Sequence, residues 1–362
     1  MKTTFLFAIT VVSFSSLLTL EPTRADDVKA AKAQSVWKLM DIDSKASLRG
    51  LHVVSHSCVW ASGSGGTIIH TSDGGSTWGV QVVPGAEELD FRDIHAIDGE
   101  TIVAMTSGTP ARIYRSTDGG SSWAIVFENK DVKVFLDALS FFDDQQGIVM
   151  GDPIDGSLFL LATSDGGKTW KQRQSAPPTT PGEAGFAASG TNMIVVGQQK
   201  VWIALGGAES GITKTNSRVL FSENRGVNWK STVVPMARNP SAGIFSLSFA
   251  GANNGVAVGG DYLKPEVSKD NCAITRDGGE TWTTPERRQP PTGFRSCVAV
   301  WMNGEEANFI AVGPNGTDRS TDLGTSWKRI SDEGFHAIEF SPDGKHGWAT
   351  GGNGRTARWS VR

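Results

Sequence analysis

The residues of this chain with the most chemical potential are carboxylates and arginines in irregular segments. Asp152 and Asp155 lie in one such segment, and Asp261, Tyr262, Lys264 and Glu266 lie in another. Two carboxylates facing each other across a cleft can serve as acid and as nucleophile or base in glycoside hydrolysis. The same residues also form turns, because an Asp side chain accepts hydrogen bonds from nearby backbone N–H groups. Arg49, Arg92 and Arg295, with His336, form a second set. A guanidinium offers a planar fork of donors to carboxylates, whether of a ligand or of a protein's acidic segment. The alternative is that each Arg pairs with a neighbouring carboxylate such as Asp93. Other chemistries find little support. His52, His56, His70, His95, His336 and His346 lack zinc-like spacing. His52 and His56 are four apart, but in a strand that separation spans about 13 Å. Cys58, Cys272 and Cys297 are odd in number and read as small buried hydrophobes. Gly63-Ser64-Gly65-Gly66 sits in a turn, not at a helix start, and no serine-nucleophile motif is present. No catalytic residue, metal site or cofactor is therefore assigned.

What positions these groups is a repeat. The pattern Ser/Thr-x-Asp-x-Gly-x-x-Trp recurs at Thr71–Trp78, Ser116–Trp123, Thr163–Trp170, Thr275–Trp282 and Ser320–Trp327, with Asn224 replacing Asp in Ser222–Trp229. The Trp residues are 45, 47, 59, 53 and 45 positions apart, intervals that mark propellers and related arrays. Asp or Asn closes a tight turn through its side chain, Gly tolerates positive φ, and Trp opens the next strand with its ring packed beneath the loop. Each turn offers one carboxylate where calcium takes six to eight oxygens, so Asp73, Asp118, Asp165, Asp277 and Asp322 read as structural. Two short strands precede each such unit, as in 91–97 and 101–105, which makes four strands per repeat.

The last unit, from Phe335 to Trp359, supplies three strands and no turn motif. The missing strand is available at 36–40, where Trp37 lies 41 residues before Trp78. The sequence thus predicts an all-β fold, a seven-bladed β-propeller of four-stranded antiparallel blades over residues 26–362, with its N-terminal strand completing the last blade and hiding two sheet edges.

The turn motif resembles the Asp box of sialidases and related propellers, in which such boxes are structural. Taken with the blade starts Phe91-Arg92-Asp93-Ile94, Phe135-Leu136-Asp137-Ala138, Phe294-Arg295-Ser296 and Gly334-Phe335-His336-Ala337, the chain resembles the photosystem II stability/assembly factor family of seven-bladed propellers over roughly residues 35–362. Segments 147–153 and 255–262 are similar to its bacterial members. For photosynthetic members the resemblance implies a lumenal chaperone for a membrane-protein complex. For this chain it implies an extracytoplasmic scaffold that binds protein, and an arginine-rich surface patch.

In a propeller, the loops joining strands 2–3 and those leading from strand 4 to the next blade share one face; the box turns share the other. Irregular length here falls on the first face, in 206–211, 261–266, 177–181 and 285–291, where binding function concentrates. Aligned blade starts put Arg49, Arg92, Leu136, Ala187, Ser246, Arg295 and His336 at equivalent positions, which predicts a basic arc at the channel mouth. The binding-face candidates are therefore Arg49, Arg92, Arg295, His336, Asp152, Asp261, Tyr262 and Lys264. A sialidase-like glycoside hydrolase, or a carbohydrate-binding propeller, is the alternative. Tyr262 near Glu266 is its one Tyr/Glu pair, no Arg-Ile-Pro opens the chain, and aromatic residues are few on the predicted loop face.

Lys2, the apolar run from Phe5 to Leu20 and Thr23-Arg24-Ala25 read as a signal peptide over residues 1–25, which implies a periplasmic or secreted protein, or a lumenal one in a photosynthetic source. No later segment reads as a membrane span. The net charge of −4 becomes −5 without that segment, so no global field favours nucleic acid or anionic lipid. The expected partner is a protein, such as a membrane-protein complex or its acidic segment, met by a monomer.

Overall fold

The computed structural model describes residues 35–211, 216–285 and 289–360; the signal-peptide reading of residues 1–25 lies outside them. Seven antiparallel sheets follow one another along the chain. Their innermost strands are Leu48–Val53, Asp90–Ala96, Leu136–Phe141, Met193–Val196, Ala242–Ala250, Cys297–Asn303 and Ala337–Phe340, in blades 1 to 7. Six blades have four strands. In blade 5 the outermost strand shrinks to a single bridge between Ile274 and Thr283. Among the described residues no helix is long and apolar enough to cross a membrane.

The predicted closure is present. Trp37–Met40 pairs antiparallel with Thr356–Trp359, in the register Trp37 to Trp359 and Met40 to Thr356. Trp37 is buried; its ring packs on Phe335 and Trp359 at centroid distances of 5.0 and 5.1 Å, and its Nε1–H donates to Thr317 Oγ1 of blade 6 at 3.0 Å. The strand therefore ties blade 7 both to its own sheet and to its neighbour.

Each repeated turn closes as its residue types require. Thr71 Oγ1 donates to Asp73 Oδ1 and accepts from the Gly75 N–H, while Asp73 Oδ1 accepts from the Thr77 N–H at 2.9 Å. The Asn224 copy keeps the same bonds. Glycine is needed twice over at Gly279: its φ is 93°, and an added Cβ would lie 2.7 Å from the Trp202 indole of the preceding blade. The turns thus serve as contacts between blades. Arginines reinforce these seams by donating to the next blade's turn carbonyls: Arg115 to Gly166 at 2.9 Å, Arg276 to Leu323 at 2.8 Å, and Arg358 across the closure to Gly74 at 3.2 Å.

Apolar side chains fill the spaces between sheets, with Trp60, Trp202 and Trp348 fully buried. On the channel side, innermost strands are stapled to each other by side chains that accept the next blade's N–H groups. Asp93 accepts from Leu139 at 2.8 Å, Ser246 from Val298 at 2.9 Å and Glu339 from Val53 at 2.9 Å. The three cysteines are unbridged.

Candidate functional site

Most innermost strands begin with a β-bulge, and these bulges build the site. Register shifts fall between Leu48 and Gly50, Phe91 and Asp93, Leu136 and Ala138, and Ile244 and Ser246. The extra residue in each is Arg49, Arg92, Asp137 and Phe245. A bulged residue escapes the strand's alternation and re-aims its side chain. All four line one pocket of about 500 Å³ at the channel mouth, together with Phe186, Tyr262, Phe294, Ser296 and His336. Residues 185–188, just before the innermost strand of blade 4, floor this pocket. The next three, Ser189 to Thr191, line a second cavity of about 370 Å³ deeper in the channel. One segment therefore separates mouth from channel.

The sequence-based candidates divide accordingly. Arg49, Arg92, His336 and Tyr262 meet at the mouth. Arg92 Nε bonds Asp90 at 2.7 Å and its Nη1 donates to the Ala187 carbonyl at 2.7 Å, which pins the floor segment. Arg49 makes no ion pair or side-chain hydrogen bond among the described residues. Burial, and then the Arg92 charge, lower the pKa of its guanidinium. His336 meets Ser47 Oγ at 3.3 Å; burial, with the charges of Arg49 and Arg92, lowers its pKa to about 4, so it adds no charge at neutral pH.

Arg295 departs from the predicted arc. It is fully buried, its Nε bonds Asp318 at 2.8 Å, and its Nη2 lies 2.5 Å from the same oxygen, off the bonding direction. The reason is register: in blade 6 the flanking Phe294 and Ser296 face the mouth, and a shift of one residue turns a side chain to the other face. The same arithmetic moves the blade 3 position from Leu136 to Asp137 and the blade 5 position from Ser246 to Phe245.

Asp152 borders the floor, accepting from the Gly185 N–H at 3.1 Å. Asp261 forms a turn: it accepts from Ser241 Oγ at 2.7 Å and from the Leu263 N–H at 3.0 Å. Lys264 is exposed in that turn. Asp155 reaches Lys133 at 3.4 Å. Glu266 accepts from Asn315 at 3.1 Å, whereas the Tyr262 ring stands edge-on to Phe186 and Phe245. Among the described residues no group of three His, Cys, Asp or Glu side chains could hold a metal.

Several site residues escape sequence reasoning. Phe186 stacks on Phe245 with centroids 4.1 Å apart, and Phe294 meets Phe245 edge-on at 4.6 Å, so the mouth is more aromatic than its loops suggested. In the channel, His52 lies 3.5 Å from Glu339, and its ring is 4.2 Å from that of His95. Burial lowers the His52 pKa to about 4 and raises Asp93 to about 7 and Glu339 to about 8. The only available signal was an acidic or basic residue among apolar ones on a predicted innermost strand.

The sign of the Glu339 shift fixes a pH dependence. A carboxyl held above its unfolded value binds its proton more tightly when folded, so its contribution is complete below about pH 4.5 and is lost as pH rises through about 8. Glu339→Gln keeps an acceptor for Val53 but has no proton to lose. Its stability relative to the parent is expected to improve from pH 5 to pH 8.5, at up to about 1.4 kcal/mol per pH unit. Urea melts at four pH values test this, and parallel curves for the two proteins would refute it.

Comparison with known proteins agrees with this architecture. Residues 29–133 match the family model for photosynthesis system II assembly factor YCF48. The chain is 23% identical over 368 residues to the chloroplast photosystem II stability/assembly factor HCF136 of Arabidopsis thaliana, covering 96% of this chain and 73% of that protein. A solved structure of YCF48 bound to a D1 peptide superposes with a TM-score of 0.63 at 18% identity, over 91% of this chain and 98% of that one. YCF48 from Cyanidioschyzon merolae gives 0.61 at 17%, over 89% and 98%. In its fold, and in the sequence of its first third, the chain is similar to photosystem II assembly factor-like propellers.

Proposed function

We propose that this protein is an exported, non-enzymatic scaffold that acts as a monomer outside the cytoplasm and grips a protein partner at the mouth of its channel. The observation that carries the reading is the convergence of Arg49 and Arg92 on one open pocket of a rigid ring, with Arg49 unpaired among the described residues. An arginine with free donors in a half-buried site is poised for a carboxylate, because the protein has already borne part of its desolvation. A relative of the same fold bound to a peptide supports a protein partner. The leading stretch of residues 1–25, removed after export, accounts for the location.

The test is affinity capture from membranes of the source cells with quantitative mass spectrometry. The parent is compared with Arg49→Ala/Arg92→Ala and with Lys168→Ala, a substitution in a repeated turn on the opposite face. Each charge-assisted hydrogen bond contributes about 1.5–3 kcal/mol. The arginine double variant is therefore expected to lose its partner by at least about tenfold, while Lys168→Ala retains it. Equal capture by all three proteins would remove the mouth from the function.

A further inference from the structure

The mouth holds one group that a carboxylate-binding reading leaves without a purpose. Asp137, the bulged residue of blade 3, has no solvent exposure, and neither of its oxygens has a hydrogen-bond partner among the described residues. Leaving a buried polar group unsatisfied costs about 1–3 kcal/mol, more for a charged one. Neighbouring backbone gives it no relief: Gly185 sits so close that a Cβ there would lie 2.7 Å from Asp137 Oδ2, and its N–H is directed to Asp152 instead. Asp137 nevertheless forms part of the pocket wall, in the same pocket as Arg49 and Arg92. The remaining side is apolar: the Phe186–Phe245 stack, Phe294 edge-on to it, and the half-exposed Tyr262.

One pocket thus presents two cations, one unpartnered carboxyl group and an aromatic wall. A simple anion satisfies the arginines but leaves the Asp137 carboxyl without a partner. A simple cation satisfies Asp137 but meets the arginines. We propose that the pocket binds a small zwitterion with an apolar side chain, an α-amino acid of the aromatic class, with its carboxylate on Arg49 and Arg92, its ammonium on Asp137 and its side chain against Phe186, Phe245 and Tyr262. The volume of about 500 Å³ holds such a molecule with its residual water. The site shares the partner-binding pocket but does not depend on a protein partner.

A proton accompanies the binding. Burial, and then the Asp152 charge, hold the Asp137 carboxyl well above the usual carboxylate range, which favours its protonated form in the empty site. An arriving ammonium pairs with the carboxylate, and the displaced proton leaves to the buffer. No bond other than that O–H is broken.

The experiment is isothermal titration calorimetry of the full chain at pH 7, in two buffers of different ionisation enthalpy. The ligands are L-phenylalanine, N-acetyl-L-phenylalanine and L-phenylalanine amide. L-Phenylalanine is expected to bind at least about tenfold more tightly than either blocked form and to release protons to the buffer. Asp137→Asn is expected to lose that preference and the proton release while melting no lower than the parent, because it removes a buried unpaired acid. Equal binding of N-acetyl-L-phenylalanine and L-phenylalanine by the parent would overturn the zwitterion site while leaving partner capture through the arginines intact. Absence of L-phenylalanine binding at concentrations above about 1 mM, a free energy weaker than about −4 kcal/mol, would overturn it as well.

Discussion

A chain lacking residues 36–42 is expected to melt at least about 10 °C below the parent and to self-associate as its concentration rises. The strand Trp37–Met40 latches the ring through backbone hydrogen bonds, because its partner Thr356–Trp359 lies at the other end of the chain. Removing it strips Trp37 from a pocket formed with Phe335 and Trp359, and Thr317 loses the indole N–H. Truncating a buried Trp alone costs about 3–5 kcal/mol, and each kcal/mol shifts the melting temperature of a large domain by about 2–4 °C. Deletion also opens the edge at 356–359, a template for pairing with another molecule. Trp37→Ala separates the two effects: it is expected to lower the melting temperature without raising association, since the backbone strand stays. Scanning calorimetry with light scattering measures both, and an unchanged melting curve for the deletion would show that the ring holds without its latch.

Asp318→Ala is expected to destabilise the fold by about 3–5 kcal/mol, the second largest effect. It leaves Arg295 as an uncompensated charge in a fully buried site. It also frees the Thr292 N–H, which donates to Asp318 at 2.8 Å. Replacing both partners, as in Arg295→Met with Asp318→Leu, is expected to recover most of that loss, because apolar side chains of similar volume carry no desolvation penalty. The readout is the urea midpoint at constant slope. A loss below about 1 kcal/mol for the single substitution would mean that water reaches Arg295 and that the guanidinium is available at the mouth after all.

That pair also marks where sequence reading stopped. Phe294-Arg295-Ser296 and Phe91-Arg92-Asp93 look alike as strings, yet Arg92 faces the mouth and Arg295 faces the core. A bulge at Arg92 adds one residue to the strand, and the period of two converts that single step into the opposite face. Aligning strings cannot detect it, because a bulge has no fixed residue signature. Asp137 and Phe245 were missed for the same reason, each lying one position from the residue that alignment selected.

Turns and closure were legible because they depend on contacts close in sequence or on a regular period. Thr71, Asp73, Gly75 and Thr77 satisfy one another within seven residues, and the other five copies of that spacing form the same turn. The seventh blade followed from counting, since three strands at one end and one at the other complete a four-stranded sheet. The content of the mouth was decided only by the ring. Arg49, Arg92, Asp137, Phe245 and His336 are spread over nearly three hundred residues and meet because seven sheets converge on one axis. Which of them keeps a charge there depends on how much water the neighbouring blades leave, a property that no single segment possesses.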